Sequence, residues 1–206
     1  MSLSTKKQNV IIIDYGAGNI QSIQFALQRL GFEGILSNDR DQILKADKVI
    51  FPGVGQAQNA MSQLIKSGLH EIIPTLTMPV LGICLGQQLL CQFSEEGDTG
   101  CLGIFNSSVK KFEPKLKVPH IGWNSISQQN SLLFNGISEE ENFYFVHSYY
   151  AEIGEETSAI CDYIVPFSAS MQKDNFYATQ FHPEKSSQVG QQLLLNFLKL
   201  QIDKKI

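Results

Sequence analysis

"VIIIDYGAGNIQSIQFALQRLG" (residues 10–31) is the stretch on which the fold turns. Val10 to Ile13 form a short run of β-branched residues, stopped by Asp14. A run this short and continuously apolar predicts a strand buried on both faces. After the turn "YGAGN", Ile20, Ile23, Leu27 and Leu30 recur at helical spacing, and Gly31 closes that helix. The same unit returns twice. "KVIFPG" (48–53) leads into a periodic stretch carrying Ala60, Met61, Leu64 and Ile65. "PVLGIC" (79–84) leads into "GQQLLCQF" (86–93). Strands alternating with helices in this way predict a parallel sheet.

The second half of the chain reads differently. "SSVKKFE" (107–113), "HIGWNSIS" (120–127), "NFYFVHSYYAEI" (142–153) and "SAICDYIV" (158–165) are strand-like and divided by polar turns. "FSASMQKDNFYATQF" (167–181) predicts a hairpin turning near Lys173, Asp174 and Asn175. Val189, Leu193, Phe197 and Leu200 form the stripe of a final helix. The fold class expected is α/β: a single domain over residues 10–202, with a mostly parallel central sheet flanked by helices and an antiparallel strand extension. Residues 1–9, polar apart from Met1 and Leu3, read as a flexible tail.

Composition narrows the function. The chain has 206 residues and a formal charge of −4, which argues against nucleic acid as the main partner. Arg29 and Arg40 are its only arginines, so a densely phosphorylated substrate is not expected to sit wholly within it. No apolar run approaches the length of a membrane span, and no signal peptide is recognised. Cys84, Cys91, Cys101 and Cys161 show no CxxC spacing, so neither a metal site nor a redox dithiol is expected, and no cofactor is implied. The expected setting is the cytoplasm, with free thiols.

One cysteine stands apart. Cys84 lies between Gly82 and Gly86 at a strand-to-helix junction, the thiol counterpart of the Gly-x-Ser-x-Gly nucleophile elbow. The glycines are expected to let the backbone turn sharply there. A thiol so placed projects from the carboxyl end of a parallel strand, where open α/β sheets bind ligands. The adjoining helix N-terminus favours the thiolate. Cys91, Cys101 and Cys161 lack this setting and read as packing residues. A cysteine nucleophile needs a base. Of four histidines, His70 falls in a helical stretch, and His120 and His147 fall within strand-like segments. His182 ends an apolar strand and is followed two residues on by Glu184. In an extended chain these two share a face, and Pro183 between them favours that conformation. A carboxylate beside an imidazole fixes its tautomer and stabilises its cation, so Cys84, His182 and Glu184 fit acyl transfer.

The pairing of "GICLGQQ" (82–88) with "FHPEKS" (181–186) resembles the class I, triad-type glutamine amidotransferases. "DYGAGN" (14–19), "PGVG" (52–55), "KVPHIGWN" (117–124) and "YFVHSYY" (144–150) resemble one branch of them, the glutaminase subunits of imidazole glycerol phosphate synthase. The resemblance runs over nearly the whole chain and implies the class I amidotransferase fold. It implies that Cys84 attacks the side-chain amide of glutamine, His182 moves the proton, and Glu184 orients His182. It implies an oxyanion hole from Gly53, Val54 and Leu85, and glutamine held by Gln88, Glu96, Ser148 and Tyr149. It places Asn19, Trp123, Tyr144 and Lys185 against a (β/α)8-barrel cyclase subunit. Ammonia would pass to that partner in a heterodimer, giving imidazole glycerol phosphate and an aminoimidazole ribonucleotide by-product in histidine biosynthesis.

Three features depart from the branch pattern: Gln87 where methionine is common, Ala57 where phenylalanine is usual, and "IFNSSVKKF" (104–112) without its expected proline and glycine. They leave open a paralogous glutaminase subunit feeding another synthase, such as a surface-sugar aminating enzyme. A cysteine hydrolase on a similar scaffold would leave "PGVG" and "YFVHSYY" without a purpose. A non-catalytic scaffold would have no need of Cys84, His182 and Glu184.

Overall fold

The isoleucine run at the start of the chain lies inside a seven-stranded sheet with helices on both faces, seen in a computed structural model that describes residues 8–16 and 20–201. In chain order its elements are β1 (Val10–Ile13), α1 (Ile20–Arg29), β2 (Gly34–Ser37), α2 (Arg40–Leu44), β3 (Lys48–Gly53), α3 (Ala57–Lys66), α4 (Leu69–Ile72), β4 (Val80–Cys84) and α5 (Leu85–Leu90). Then come β5 (Phe93–Ser94), β6 (Thr99–Gly100), β7 (Ser108–Lys111), β8 (His120–Ser125), β9 (Asn142–His147) and β10 (Tyr149–Ala151). The chain closes with β11 (Thr157–Tyr163), β12 (Val165–Lys173), β13 (Phe176–Thr179) and α6 (Ser187–Lys199).

The main sheet has the order β11-β12-β13-β4-β3-β1-β2. From β13 to β2 all neighbours are parallel, and β11 and β12 extend the sheet antiparallel. This is the expected architecture. Alternation along β1 explains why every residue of it is apolar. Val10 and Ile12 join Ile23 and Leu27 of α1 and Leu193 and Phe197 of α6 in one core. Ile11 and Ile13 join Ala60, Met61 and Leu64 of α3 and Leu89 of α5 in the other.

Two local expectations are corrected. The helix after the elbow ends at Leu90, not Phe93, because Phe93 and Ser94 pair as strand β5 with β6 and β7. The single strand expected over 142–153 breaks at Ser148. Its first part, β9, pairs with β8, and its second, β10, pairs with β7. Local propensity cannot register either change, because both are set by distant pairing partners.

The hairpin turns where expected, with Asp174 left-handed at φ 51°. The Asn175 side chain donates to the carbonyls of Leu76 and Met78, each at 2.8 Å, just before β4 begins. That anchor sets β13 beside β4 in parallel register, with Thr179 opposite Ile83. Residues 180–182 therefore leave the sheet at the same edge as Cys84, and this brings two remote motifs together.

Candidate active site

Cys84 ends β4 and precedes α5 with φ 55° and ψ −111°. The strained conformation thus falls on the cysteine itself, not on its glycines. Gly82 and Gly86 serve a different purpose from the one expected. A Cβ on Gly86 would run into the Phe51 carbonyl oxygen, and one on Gly82 would lie 2.8 Å from Leu90 Cδ1. The glycines let α5 press against the sheet, and that packing holds the elbow bent. Cys84 is 7% exposed and opens onto a cleft of about 360 Å³.

His182 lies in that cleft too, and its Nδ1–H donates to Glu184 Oε1 at 2.8 Å. The pair meets through a 3-10 turn over Pro183–Lys185, with His182 as its cap, and not along the extended chain expected. The proline starts this turn. Both side chains are almost fully buried. Burial alone would lower the His182 imidazole. The negative charge and hydrogen bonding of Cys84, then those of Glu184, outweigh burial and push it up to about 10. Nε2 makes no hydrogen bond among the described residues, and His182 and Cys84 line the same cleft. The remaining thiols are held inert by burial: Cys101 and Cys161 are pushed up to about 12, and Cys91 higher still.

Val54, Leu85, Gln88, Glu96, Ser148, Tyr149 and Lys185 line the same cleft. Gly53 lies just outside it, opposite Cys84 in the β3–β4 register, so the 53–55 loop starts beside the sulfur. The Tyr15 hydroxyl donates to the Pro52 carbonyl at 2.8 Å and fixes the start of that loop. The backbone N–H of Ala57 donates to Glu96 Oε2 at 2.8 Å and fixes its end. Glu96 therefore also caps α3, a contact that leaves its other oxygen for a ligand. Trp123 is 54% exposed on β8 and stands edge-on to Tyr144 of β9 at 5.9 Å. Neither is core packing. Asn19 lies outside the described residues. Of the departures, Gln87 is fully buried and donates to the Ser168 carbonyl at 2.9 Å, tying α5 to β12. Ala57 is likewise fully buried. Among the described residues no group of His, Cys, Asp and Glu is placed to hold a metal ion.

The sequence reading missed the polar layer behind the cleft. His120 and His147 face each other across β8 and β9, with His120 Nδ1 3.1 Å from His147 Nε2. His147 Nδ1 lies 2.8 Å from the Tyr149 carbonyl, which can only accept. His147 therefore carries its proton on Nδ1, and His120 donates to Nε2. His120 also stacks on Tyr163, with centroids 3.9 Å apart. Burial lowers His120 to about 4 and His147 to about 3. Antiparallel register, invisible locally, was the missing signal. The unfolded chain takes up these protons below pH 6.5 while the folded chain refuses them, so stability falls as pH drops from 6.5 toward 4. Urea unfolding at pH 6.5 and 5 should show a lower midpoint at pH 5. His120→Phe, which keeps the stacking, should show a smaller difference between the two. An equal difference in both proteins would place the acid sensitivity elsewhere.

The family model described as "Glutamine amidotransferase class-I" matches residues 11–200. A Bacteroides fragilis (strain YCH46) protein, "Imidazole glycerol phosphate synthase subunit HisH", is 55% identical over 194 residues, covering 93% of this chain and 99% of the relative. The protein of that name from Escherichia coli (strain K12) is 47% identical over 195 residues, covering 93% and 100%. Among solved structures, PurLQS from Thermotoga maritima superposes with a TM-score of 0.72 at 15% identity, covering 94% of this chain and 98% of that one. A likeness at that identity shows the fold alone.

Proposed function

This chain belongs to the class-I glutamine amidotransferases, and on that premise we propose how its cleft hydrolyses glutamine and where the ammonia goes. Its activity is that of the glutaminase subunit of imidazole glycerol phosphate synthase, in histidine biosynthesis. The observation that carries the mechanism is the meeting of Cys84 with the buried His182–Glu184 pair in one cleft.

The Cys84 thiolate attacks the side-chain amide carbon of glutamine. The developing oxyanion is held by the backbone N–H of Leu85 and by the 53–54 peptide, both beside the sulfur. His182 gives its Nε2 proton to the leaving nitrogen, and ammonia departs. His182 then takes a proton from water as it attacks the thioester, and the sulfur leaves with its electron pair, releasing glutamate and restoring the thiolate beside a protonated His182. Glu184 holds the ring in the Nδ1–H tautomer throughout. Glu96 Oε1 and the Gln88 carboxamide oxygen bind the α-ammonium group of glutamine, while the 148–149 backbone holds its main chain.

Ammonia is useful only while unprotonated, so the cleft must open into a partner and not into bulk water. The face formed by Val54, Trp123, Tyr144 and Lys185, with the neighbouring Ile121 52% exposed, supplies the docking surface. The partner proposed is a (β/α)8-barrel cyclase, in a cytoplasmic heterodimer, with the sugar phosphate bound on the barrel. Two arginines in this whole chain agree with that division. Among the described residues no helix is long and apolar enough to cross a membrane. The proposed domain spans residues 10–202. Of the tail expected over 1–9, residues 1–7 lie outside the described residues, as does 202. Gln8 and Asn9 are instead held to the domain, Gln8 Nε2 donating to the Leu198 carbonyl at 3.0 Å and the Asn9 backbone N–H to Asp47 Oδ2 at 2.7 Å.

The test is glutamate release measured for the chain alone and with the cyclase, alongside imidazole glycerol phosphate formation from the phosphoribulosyl formimino intermediate. Low activity alone, strong activation in the complex and coupled product are expected. Equal glutaminase activity in both states would remove the partner from the mechanism.

A further inference from the structure

Gln180 is fully buried, two residues before His182, and nothing in the mechanism above uses it. Its Nε2 lies 3.7 Å from Cys84 Sγ. Its Oε1 lies 2.8 Å from Gln88 Nε2. Gln88 Nε2 lies 2.9 Å from the Tyr149 carbonyl oxygen as well. The partners fix which end of each carboxamide is nitrogen and which is oxygen. A backbone carbonyl only accepts, so the Gln88 atom beside it must be the amide nitrogen. That nitrogen spends its second hydrogen on Gln180, so the Gln180 atom facing it must be the oxygen. The Gln180 nitrogen is then left facing the sulfur. The backbone of Tyr149 thus dictates, through two side-chain amides, that an N–H points at Cys84.

We infer that Gln180 is a fourth catalytic residue, donating a hydrogen bond to the Cys84 sulfur and holding the thiolate in line for attack. The inference rests on Cys84 being the nucleophile. In a site closed to solvent, a sulfur carrying negative charge loses the hydration that would otherwise stabilise it. An N–H donor aimed at it replaces part of that hydration without having to reorient. His182 cannot fill this role for the whole cycle, because it gives its proton to the leaving ammonia. Gln180 keeps its hydrogens and stays on the sulfur in both half-reactions. In the second half-reaction the sulfur is the leaving group, and the same donor stabilises it as the thioester breaks. Gln88 has a consequent constraint: both its hydrogens are committed, so it presents only an acceptor to the cleft. That suits the ammonium or amide hydrogens of glutamine and rejects a carboxylate at the same place.

The test reads the sulfur directly. Alkylation of Cys84 by iodoacetamide is followed against pH in the parent chain and in Gln180→Met, which matches the size and removes the donor. The midpoint of alkylation should rise by about one pH unit in the variant, the size of one hydrogen bond to a charged group. In the complex with the cyclase, kcat for glutaminase should fall at least tenfold with KM changed less. Gln180→Glu covers the case in which the methionine variant fails to fold. It can keep the bond from Gln88, but a carboxylate beside the sulfur should raise the midpoint further. An unchanged midpoint with unchanged kcat in either folded variant would overturn the role of Gln180. A parent chain in which Cys84 resists alkylation at every pH would instead overturn the nucleophile, and the two failures are told apart by that control.

Discussion

Cys84→Ala is expected to lower glutamine-dependent turnover by roughly 10⁴-fold or more, while the complex continues to use ammonia supplied as a salt. The reason is that only the sulfur can form the thioester. His182, Glu184 and the loop donors are arranged around an attack that no longer occurs, and the remaining water would have to reach a carbonyl held for a different nucleophile. The substitution is clean because alanine removes one atom from a residue already in an unusual backbone conformation, φ 55°. It adds no volume to a site where α5 lies tightly against the sheet. Stability measured by thermal unfolding should stay close to that of the parent. Glutamate release remaining within tenfold of the parent would mean that the cleft hydrolyses glutamine without a covalent step. Loss of the ammonia-dependent reaction as well would mean that the variant no longer docks.

Glu184→Gln is expected to lower glutamine-dependent kcat by roughly 10²- to 10⁴-fold with a small effect on KM. Its carboxylate accepts from His182 Nδ1 at 2.8 Å with both side chains almost wholly out of water. The amide has the same shape but no charge, and it can present a hydrogen where the carboxylate presented a lone pair. Either change lets the neutral ring adopt the Nε2–H tautomer, which has a proton where a lone pair is needed to accept one from the thiol or from water. The charge has a second, independent readout. His182 is held up to about 10, against an ordinary 6.5. A group whose folded value is raised contributes stability that is complete below 6.5 and is lost as pH rises through 10. Glu184 supplies two of the raising influences, after those of Cys84. In Glu184→Gln the stability lost between pH 7 and pH 10 should therefore be smaller than in the parent. A variant that keeps full kcat, or that loses stability with pH as the parent does, would show that the carboxylate neither orients nor charges the ring.

The two expectations separate what the triad's members do. Removing the sulfur takes away the reaction and leaves the electrostatics of His182 weaker but its orientation intact. Removing the charge of Glu184 leaves the sulfur in place and spoils the proton transfer. Gln180 belongs to neither class, since it acts on the sulfur's charge and not on the proton.

How much of this was legible in the sequence depends on the range of the interaction. Runs such as Val10–Ile13 and the periodic positions of α1 and α6 are governed by burial on one face or two, which a pattern records directly. The parallel order of the first strands follows from strands alternating with helices. Cys84, His182 and Glu184, the triad proposed above, could be singled out because elbow glycines and a His-x-Glu spacing are local. Their local reasons were only partly right: Cys84 itself takes the strained backbone, and His182 meets Glu184 through a 3-10 turn. What sequence could not give is everything set by partners far along the chain. The breaks at Leu90 and Ser148 follow from which strands pair with β7 and β8. The His120–His147 contact exists only because antiparallel register puts them opposite each other. Gln180 looks like one more residue of an apolar strand until β13 lies beside β4. The sequence by itself determined the periods, the glycines and the reactive side chains, because each depends on near neighbours. The tertiary structure alone decided which buried polar atoms meet, because a hydrogen bond is made or lost within a few tenths of an ångström, and only the assembled sheet fixes distances that finely.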